Sequence, residues 1–277
     1  MRAAAVVAAR HAIITGGSSG IGLPLVRRLA GLGARTSAIA LDDDDLARLR
    51  QSQPSVTCVG ADVGDRDQAQ AAVAACADAQ GPCDLLFTCA GIVRPGYFME
   101  IPDTEFERQM RVNYFGTLWP IRAVVPSMVA GRSGSIMAIS SFGGLMGVFG
   151  LSAYGPSKYA VRALCETLRL ELAPHGIFVA GVYPSDVDTP MLAYEKPLHP
   201  PEEDAMQGTM KPMSPEVVVD AMLDGLRHRR ARIYPGPRTS VLAHLATAAP
   251  EFATRYATRA IRRGERARAR TAHGPGL

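Results

Sequence analysis

Six short apolar runs alternate with helical patterns along the first two thirds of the chain, which leaves few ways to bury the strands except a parallel sheet covered by helices on both faces. The expected strands are His11 to Thr15, Thr36 to Ala40, Val56 to Gly60, Asp84 to Thr88, Ser135 to Ser140 and Phe178 to Tyr183. Helical periodicity runs through Leu23, Val26, Leu29 and Ala30, around Leu46 to Leu49, and from about Asp65 to Gln80. It returns from about Asp103 to Val129 and from about Leu151 to Ala173. A helix from Pro215 to about His228 and a short strand, Arg232 to Tyr234, close the pattern. The expected fold is therefore α/β, a doubly wound parallel sheet, with ligands at the carboxyl ends of the strands.

The first such end is glycine-rich. Gly16-Gly17-Ser18-Ser19-Gly20-Ile21-Gly22 sits between a strand and a helix. Glycines there let backbone amides approach a pyrophosphate at a helix N-terminus. The second strand ends at Ala40-Leu41, followed by Asp42-Asp43-Asp44-Asp45. An acidic side chain at this end would bond the ribose 2′-hydroxyl of NAD, and a basic one would meet the 2′-phosphate of NADP. Ala40 and Leu41 are neither, and the Asp run reads equally well as a helix cap and first turn. Asp62-Val63 and Cys89-Ala90-Gly91 end the third and fourth strands, and Pro184-Ser185-Asp186-Val187-Asp188-Thr189-Pro190 follows the sixth. Cys89 reads as a small packed residue rather than a reactive thiol.

Tyr154 and Lys158 lie four residues apart in a helical pattern, so an ammonium falls beside a phenol on one face. A fixed positive charge favours the phenolate and would bring a Tyr, ordinarily near ~10, into proton-transfer range. The chain has only Lys158, Lys196 and Lys211 as lysines and otherwise uses Arg. Lys is a compact donor suited to a ribose hydroxyl. The alternative is a surface Tyr over a solvated Lys. Asn113, inside a long helical stretch, either bends the helix and holds water or points outward.

Composition narrows the classes of function. The net charge of +4 is small for 277 residues, and Arg in the last quarter supplies most of it, so no general nucleic-acid surface is expected. Five Cys, an odd count without a Cys-x-x-Cys pair, argue for reduced thiols in a cytoplasmic protein and against a zinc site, so no metal is expected. Met1 to Ala9 is too short for a signal core, and no 18-residue apolar run occurs.

Thr15-Gly16-x-x-x-Gly20-x-Gly22, Asn113, Ser141 and Tyr154-x-x-x-Lys158 together resemble the short-chain dehydrogenase/reductase family over about residues 10 to 240. The resemblance implies a Rossmann-like single domain in which Tyr154 gives a proton to a ketone, Lys158 lowers its pKa and binds the nicotinamide ribose, and Ser141 holds the carbonyl oxygen. Ser141 is preferred to Ser140 because it lies thirteen residues before Tyr154, the family's usual separation. Asn113 would hold a relay water and Thr189 the nicotinamide carboxamide. Gly16, Ser18, Ser19, Gly20, Ile21, Gly22, Ala40, Leu41, Asp62, Val63, Cys89, Ala90, Gly91, Pro184, Ser185 and Val187 would line the cofactor. Thr88-Cys89-Ala90-Gly91 and Pro184-Ser185 depart from the family's frequent Asn-Asn-Ala-Gly and Pro-Gly. With Gly150-Leu151-Ser152-Ala153-Tyr154 they resemble the 3-ketodihydrosphingosine reductase group, which implies NADPH, with NADH as the alternative, and a long-chain amino ketone from sphingolipid synthesis. Other apolar carbonyls (3-oxoacyl chains, steroids, retinoids) remain open, as does a dinucleotide-sensing regulator. Family habit also implies a homo-oligomer, dimer or tetramer.

Residues 190–213 collect Met191, Met206, Met210 and Met213 with Pro197, Pro200 and Pro201, as a lid over an apolar substrate or a mobile surface loop would. Candidate partners for a substrate ammonium are Glu195, Glu202, Glu203, Asp204 and Asp186. Residues 241–277 form a basic appendage. Val241, Leu245, Ala249, Phe252 and Tyr256 fall at helical spacing before an Arg-rich stretch, which reads as a peripheral membrane contact, as packing on the domain, or as a solubilising tail.

Overall fold

A computed structural model describes residues 4–200, 202, 211–251, 254, 255, 257–259, 261 and 262. A short turn of helix, α1 (Ala4–Val7), precedes seven strands that form one sheet: β1 (His11–Thr15), β2 (Arg35–Ala40), β3 (Thr57–Gly60), β4 (Leu85–Thr88), β5 (Gly134–Ile139), β6 (Ile177–Val182) and β7 (Arg232–Ile233). Their order is β3-β2-β1-β4-β5-β6-β7, and every pairing is parallel. The order reverses between β1 and β4, so the loops leaving these two strands diverge and open a crevice at their carboxyl ends.

Strand side chains alternate between two apolar layers. Ile14, Phe87, Met137 and Val182 face one layer, where α2 (Gly22–Gly31) inserts Leu25, Val26 and Leu29, α3 (Asp44–Ser52) inserts Leu46 and Leu49, and α9 (Pro215–His228) inserts Val219 and Met222. Ile13, Leu86, Ile136 and Val179 face the other. There they meet Val73 of α4 (Arg66–Gln80), Ile121 and Val124 of α6 (Gly116–Ala130), and Val161 and Cys165 of α7 (Tyr154–Leu172). Both faces of β1, β4, β5 and β6 are covered, which is why these strands read as short apolar runs without polar alternation.

The long helix expected from Asp103 to Val129 is not uniform. α5 (Asp103–Gln109) passes through a π-helical turn, Met110–Phe115, before α6. The wider turn carries the fully buried Asn113, and such insertions commonly sit at functional sites. The Asp run is a cap: the Asp43 carboxylate accepts the Leu46 amide at 3.1 Å, and Asp44 and Asp45 fill the first turn of α3.

Residues 190–198 form α8 (Pro190–Glu195) and a 3-10 turn, and Met213 returns to pair with Val187. Residues 201 and 203–210, with Pro201, Glu203, Asp204, Met206 and Met210, lie outside the described residues. α10 (Pro237–Ala248) begins four residues before the expected boundary at 240/241. It buries Thr239, Ala243 and Ala246 against the domain and leaves Val241 and Leu245 60% and 54% exposed. The side chains of Phe252 and Tyr256 and residues 263–277 lie outside the description. Among the described residues no helix is long and apolar enough to cross a membrane.

Candidate active site

Strand ends and one helix start converge at the crevice. The turn after β1 packs backbone to backbone on the turn after β4: a Cβ on Gly16, whose φ is +64°, would fall 2.7 Å from the Ala90 nitrogen. Gly22 needs its missing Cβ equally, because one would lie 2.0 Å from the Gly16 carbonyl oxygen. α2 therefore starts tight beneath the turn. Unlike α3 and α4, capped by Asp43 and Asp65, it has no side-chain cap and no acidic residue in its first turn. An uncapped helix N-terminus behind a glycine turn fits a dinucleotide pyrophosphate.

Around this turn the expected cofactor residues divide into two groups. Gly20 faces Thr189, whose methyl lies 3.8 Å from where a Gly20 Cβ would be, so these two expected contacts do come together. Thr189 also caps α8, accepting the Leu192 amide at 3.5 Å. Ala40 is buried at the β2 end and Leu41 is exposed beside it. Asp62 is committed locally, accepting the Gly64 amide at 2.8 Å, and Val63 packs beneath Gly116. Pro184 accepts the Phe142 amide through its carbonyl, and Ser185 shares a 3.0 Å hydrogen bond with Thr239 of α10. The Ser185 hydroxyl thus serves to dock α10. Cys89 is partly buried, and desolvation pushes its thiol up to about 12, as suits a packed residue.

The catalytic candidates meet at the start of α7. Tyr154 opens the helix, and Lys158, one turn on, is only 3% exposed, which excludes the solvated-lysine alternative. The Lys158 ammonium donates to the Ile139 carbonyl at the β5 end at 3.0 Å and lies 5.7 Å from the Tyr154 ring centroid. Ser141 accepts the Gly143 amide at 3.0 Å, which fixes its rotamer, and its hydroxyl and the Tyr154 ring flank Gly143, 3.6 and 3.8 Å from where a Cβ there would be. Ser140 points away: it donates to the Lys158 carbonyl at 2.8 Å, beneath Gly144.

One expectation needs correction. Tyr154 was to be acidified by Lys158, but in the chain alone burial pushes the phenol upward. Ser141 pulls the other way, and the nearby Glu195 and Asp186 charges add to the rise. Burial also holds the Lys158 ammonium down, to about 8. The Asn113 side chain is engaged by protein. Oδ1 accepts the Ile92 amide at 2.8 Å, and Nδ2 donates to the Ile92 carbonyl at 3.0 Å and to Ser157 Oγ at 2.9 Å. Ser157 in turn donates to the Tyr154 carbonyl at 2.6 Å. Asn113 is thus a clamp joining the loop after β4 to the first turn of α7. Gly91 makes room at this corner, since a Cβ there would lie 3.2 Å from both Asn113 Oδ1 and Lys158 Nζ.

A buried Lys, a half-buried Tyr and a Ser at the mouth of a dinucleotide crevice define a class, and the comparisons agree: residues 10–198 match the short chain dehydrogenase family, and the chain belongs to it. The 3-ketodihydrosphingosine reductase of Mus musculus is 36% identical over 217 residues, covering 75% of this chain and 65% of that protein. The match thus spans less than two thirds of that relative's length. A short chain dehydrogenase from Burkholderia cenocepacia J2315, solved in complex with NADP, superposes with a TM-score of 0.75 at 27% identity, covering 89% of this chain and 95% of that one. One from Burkholderia phymatum, solved with NAD, gives 0.77 at 25% identity over 88% and 95%.

Proposed function

We propose that this chain is a nicotinamide-dependent reductase of a ketone on a long apolar substrate, 3-ketodihydrosphingosine being the substrate that its similarity to the mouse reductase favours. The observation that carries the reading is that Ser141 and the Tyr154 ring flank Gly143 while Lys158 lies buried one turn from Tyr154. NADPH is the proposed cofactor, with NADH as the alternative, because Ala40 places no acidic side chain against a 2′-phosphate. When bound, the cofactor supplies the hydride.

The chain supplies the rest. Lys158 and Thr189 border the crevice and would hold the nicotinamide end, while the uncapped start of α2 would hold the pyrophosphate. Ser141, with its oxygen anchored by the Gly143 amide, is free to turn its proton toward a substrate carbonyl oxygen beside the phenol. Such an anchored donor stabilises charge developing on that oxygen. Tyr154 then gives its proton to the oxygen. A phenol held above its ordinary pKa is a proton donor rather than a base, which suits reduction.

The substrate's apolar character is matched by Tyr97, Phe98, Met99 and Tyr194, exposed on the loop after β4 and on α8. The exposed Val241 and Leu245, with Arg255, Arg259 and Arg262 following, support a peripheral contact with anionic membrane through α10 and the tail. Liposome sedimentation of the full chain tests that part: absence of salt-sensitive binding to anionic vesicles rules it out. Ketones of graded chain length, with and without an amino group, assayed by NADPH and NADH consumption, test the reaction. No turnover of any of them refutes the proposal. An equal or better kcat/KM with NADH reverses the cofactor choice.

A further inference from the structure

Behind the crevice, α10 touches both loops that carry the polar groups of the site. It lies beyond residues 10–198, the stretch matched to the family. Thr239, in its first turn, is only 3% exposed and shares a 3.0 Å hydrogen bond with Ser185 Oγ on the loop after β6. Four residues on, the same loop presents Thr189 to Gly20. One turn along α10, the fully buried Ala243 packs with Leu145 and Tyr183, and Phe142 and Tyr234 lie against them. Phe142 follows Ser141 directly, and its amide donates to the Pro184 carbonyl at 2.8 Å, so the loops after β5 and β6 are tied to each other as well as to α10. The loop after β6 is thus held from two sides, by backbone bonds between Met213 and both Asp186 and Asp188, and by the Thr239 hydroxyl.

A hydroxyl pair is a directional contact that an apolar side chain of the same shape cannot make. We infer that Thr239 is a positioning residue: it holds Ser185, and with it the loop that brings Thr189 to the nicotinamide end of the crevice. The inference rests on the reductase reading for what fills the crevice, and it makes α10 part of the cofactor site rather than an appendage to the domain. Without the bond the loop spends part of its time away from the position in which Thr189 faces Gly20. Affinity for the nicotinamide end then falls with the fraction of chains held in the competent position. The adenosine end, at the close of β2, is unaffected.

Two ligands separate the ends of the cofactor. The full chain is titrated calorimetrically with NADPH and with 2′-phospho-ADP-ribose, the same molecule without nicotinamide, or with NADH and ADP-ribose if those bind more tightly. Wild type should bind the whole cofactor more tightly than its fragment. Thr239→Val should cut that ratio by about threefold or more, the range set by one lost hydrogen bond, with affinity for the fragment kept within about twofold. Thr239→Ser, which keeps the hydroxyl, should restore the ratio. Ser185→Ala removes the bond from its other end, so it should cut the ratio alike, and the double variant should cut it no further. A wild-type ratio of about one, an unchanged ratio in Thr239→Val, equal weakening of both ligands, no rescue by Thr239→Ser, or additive losses in the double variant overturns the inference. Should Thr239→Val bind neither ligand, the Ser185→Ala ratio decides. A ratio that depends on Thr239 without turnover of any ketone sinks the reductase and leaves the positioning role. Ketone turnover with a ratio independent of Thr239 does the reverse.

Discussion

Asn113→Ala separates a clamp from a water holder. The substitution deletes an acceptor for the Ile92 amide and donors to the Ile92 carbonyl and Ser157 Oγ, all within 3.0 Å. Ser157 keeps its own bond to the Tyr154 carbonyl, so its loss is small. The Ile92 groups lose both side-chain partners. An orphaned buried donor costs about 1–3 kcal/mol, and an under-satisfied carbonyl less. Because Ile92 is only partly buried, water recovers some of this, and the total comes to about 2–4 kcal/mol. In a chain of this size that lowers the thermal midpoint by roughly 3–7 °C. Activity falls as well, because the clamp fixes the first turn of α7. Differential scanning calorimetry of the full chain reads the first effect and NADPH consumption the second. A midpoint within about 2 °C of wild type, with activity lost, would show that the side chain serves the reaction alone and refute the clamp.

Tyr154→Phe should cut kcat by ~10²- to 10⁴-fold with an unchanged thermal midpoint, and a variant within a few-fold of wild type would sink the proton-donor assignment. Lys158 should titrate near 8 in the cofactor-free chain, because burial disfavours its charge. With three lysines in the sequence, an NMR titration of 13C-methylated lysine resolves it, and a midpoint at the ordinary 10.5 contradicts the buried environment. His11, the buried first residue of β1, has Nδ1 2.6 Å from the Gly81 carbonyl and Nε2 2.8 Å from Ser37 Oγ, and desolvation lowers its pKa below 6.5. The fold thus favours the neutral ring. Its contribution is fully present above pH 6.5 and is lost as pH falls below that value, because the unfolded chain then takes up the proton first. Denaturant midpoints should drop more for wild type than for His11→Gln between about pH 7.5 and about pH 5.5, and equal drops count against it.

Local signals carried the sheet, the glycine turn and the Tyr154–Lys158 pair. Burial of both strand faces is written as short apolar runs, tight backbone approach as Gly16 and Gly22, and one helical turn as a spacing of four. Each depends on residues within a few positions of one another, so it can be read along the chain. The Asp42–Asp45 run was ambiguous for the opposite reason, since a cap and a ribose contact use the same residue type, and only the Asp43–Leu46 bond separates them. Asn113 shows the limit most clearly. Its type and place were legible, but its partners, Ile92 and Ser157, are 21 and 44 residues away and are brought to it by sheet order and helix packing. The same holds for Ser185, drawn to Thr239 across 54 residues, and for the direction of the Tyr154 shift. Spacing predicts which charge neighbours the phenol, but desolvation depends on everything packed around it, and that is decided only when the chain closes on itself.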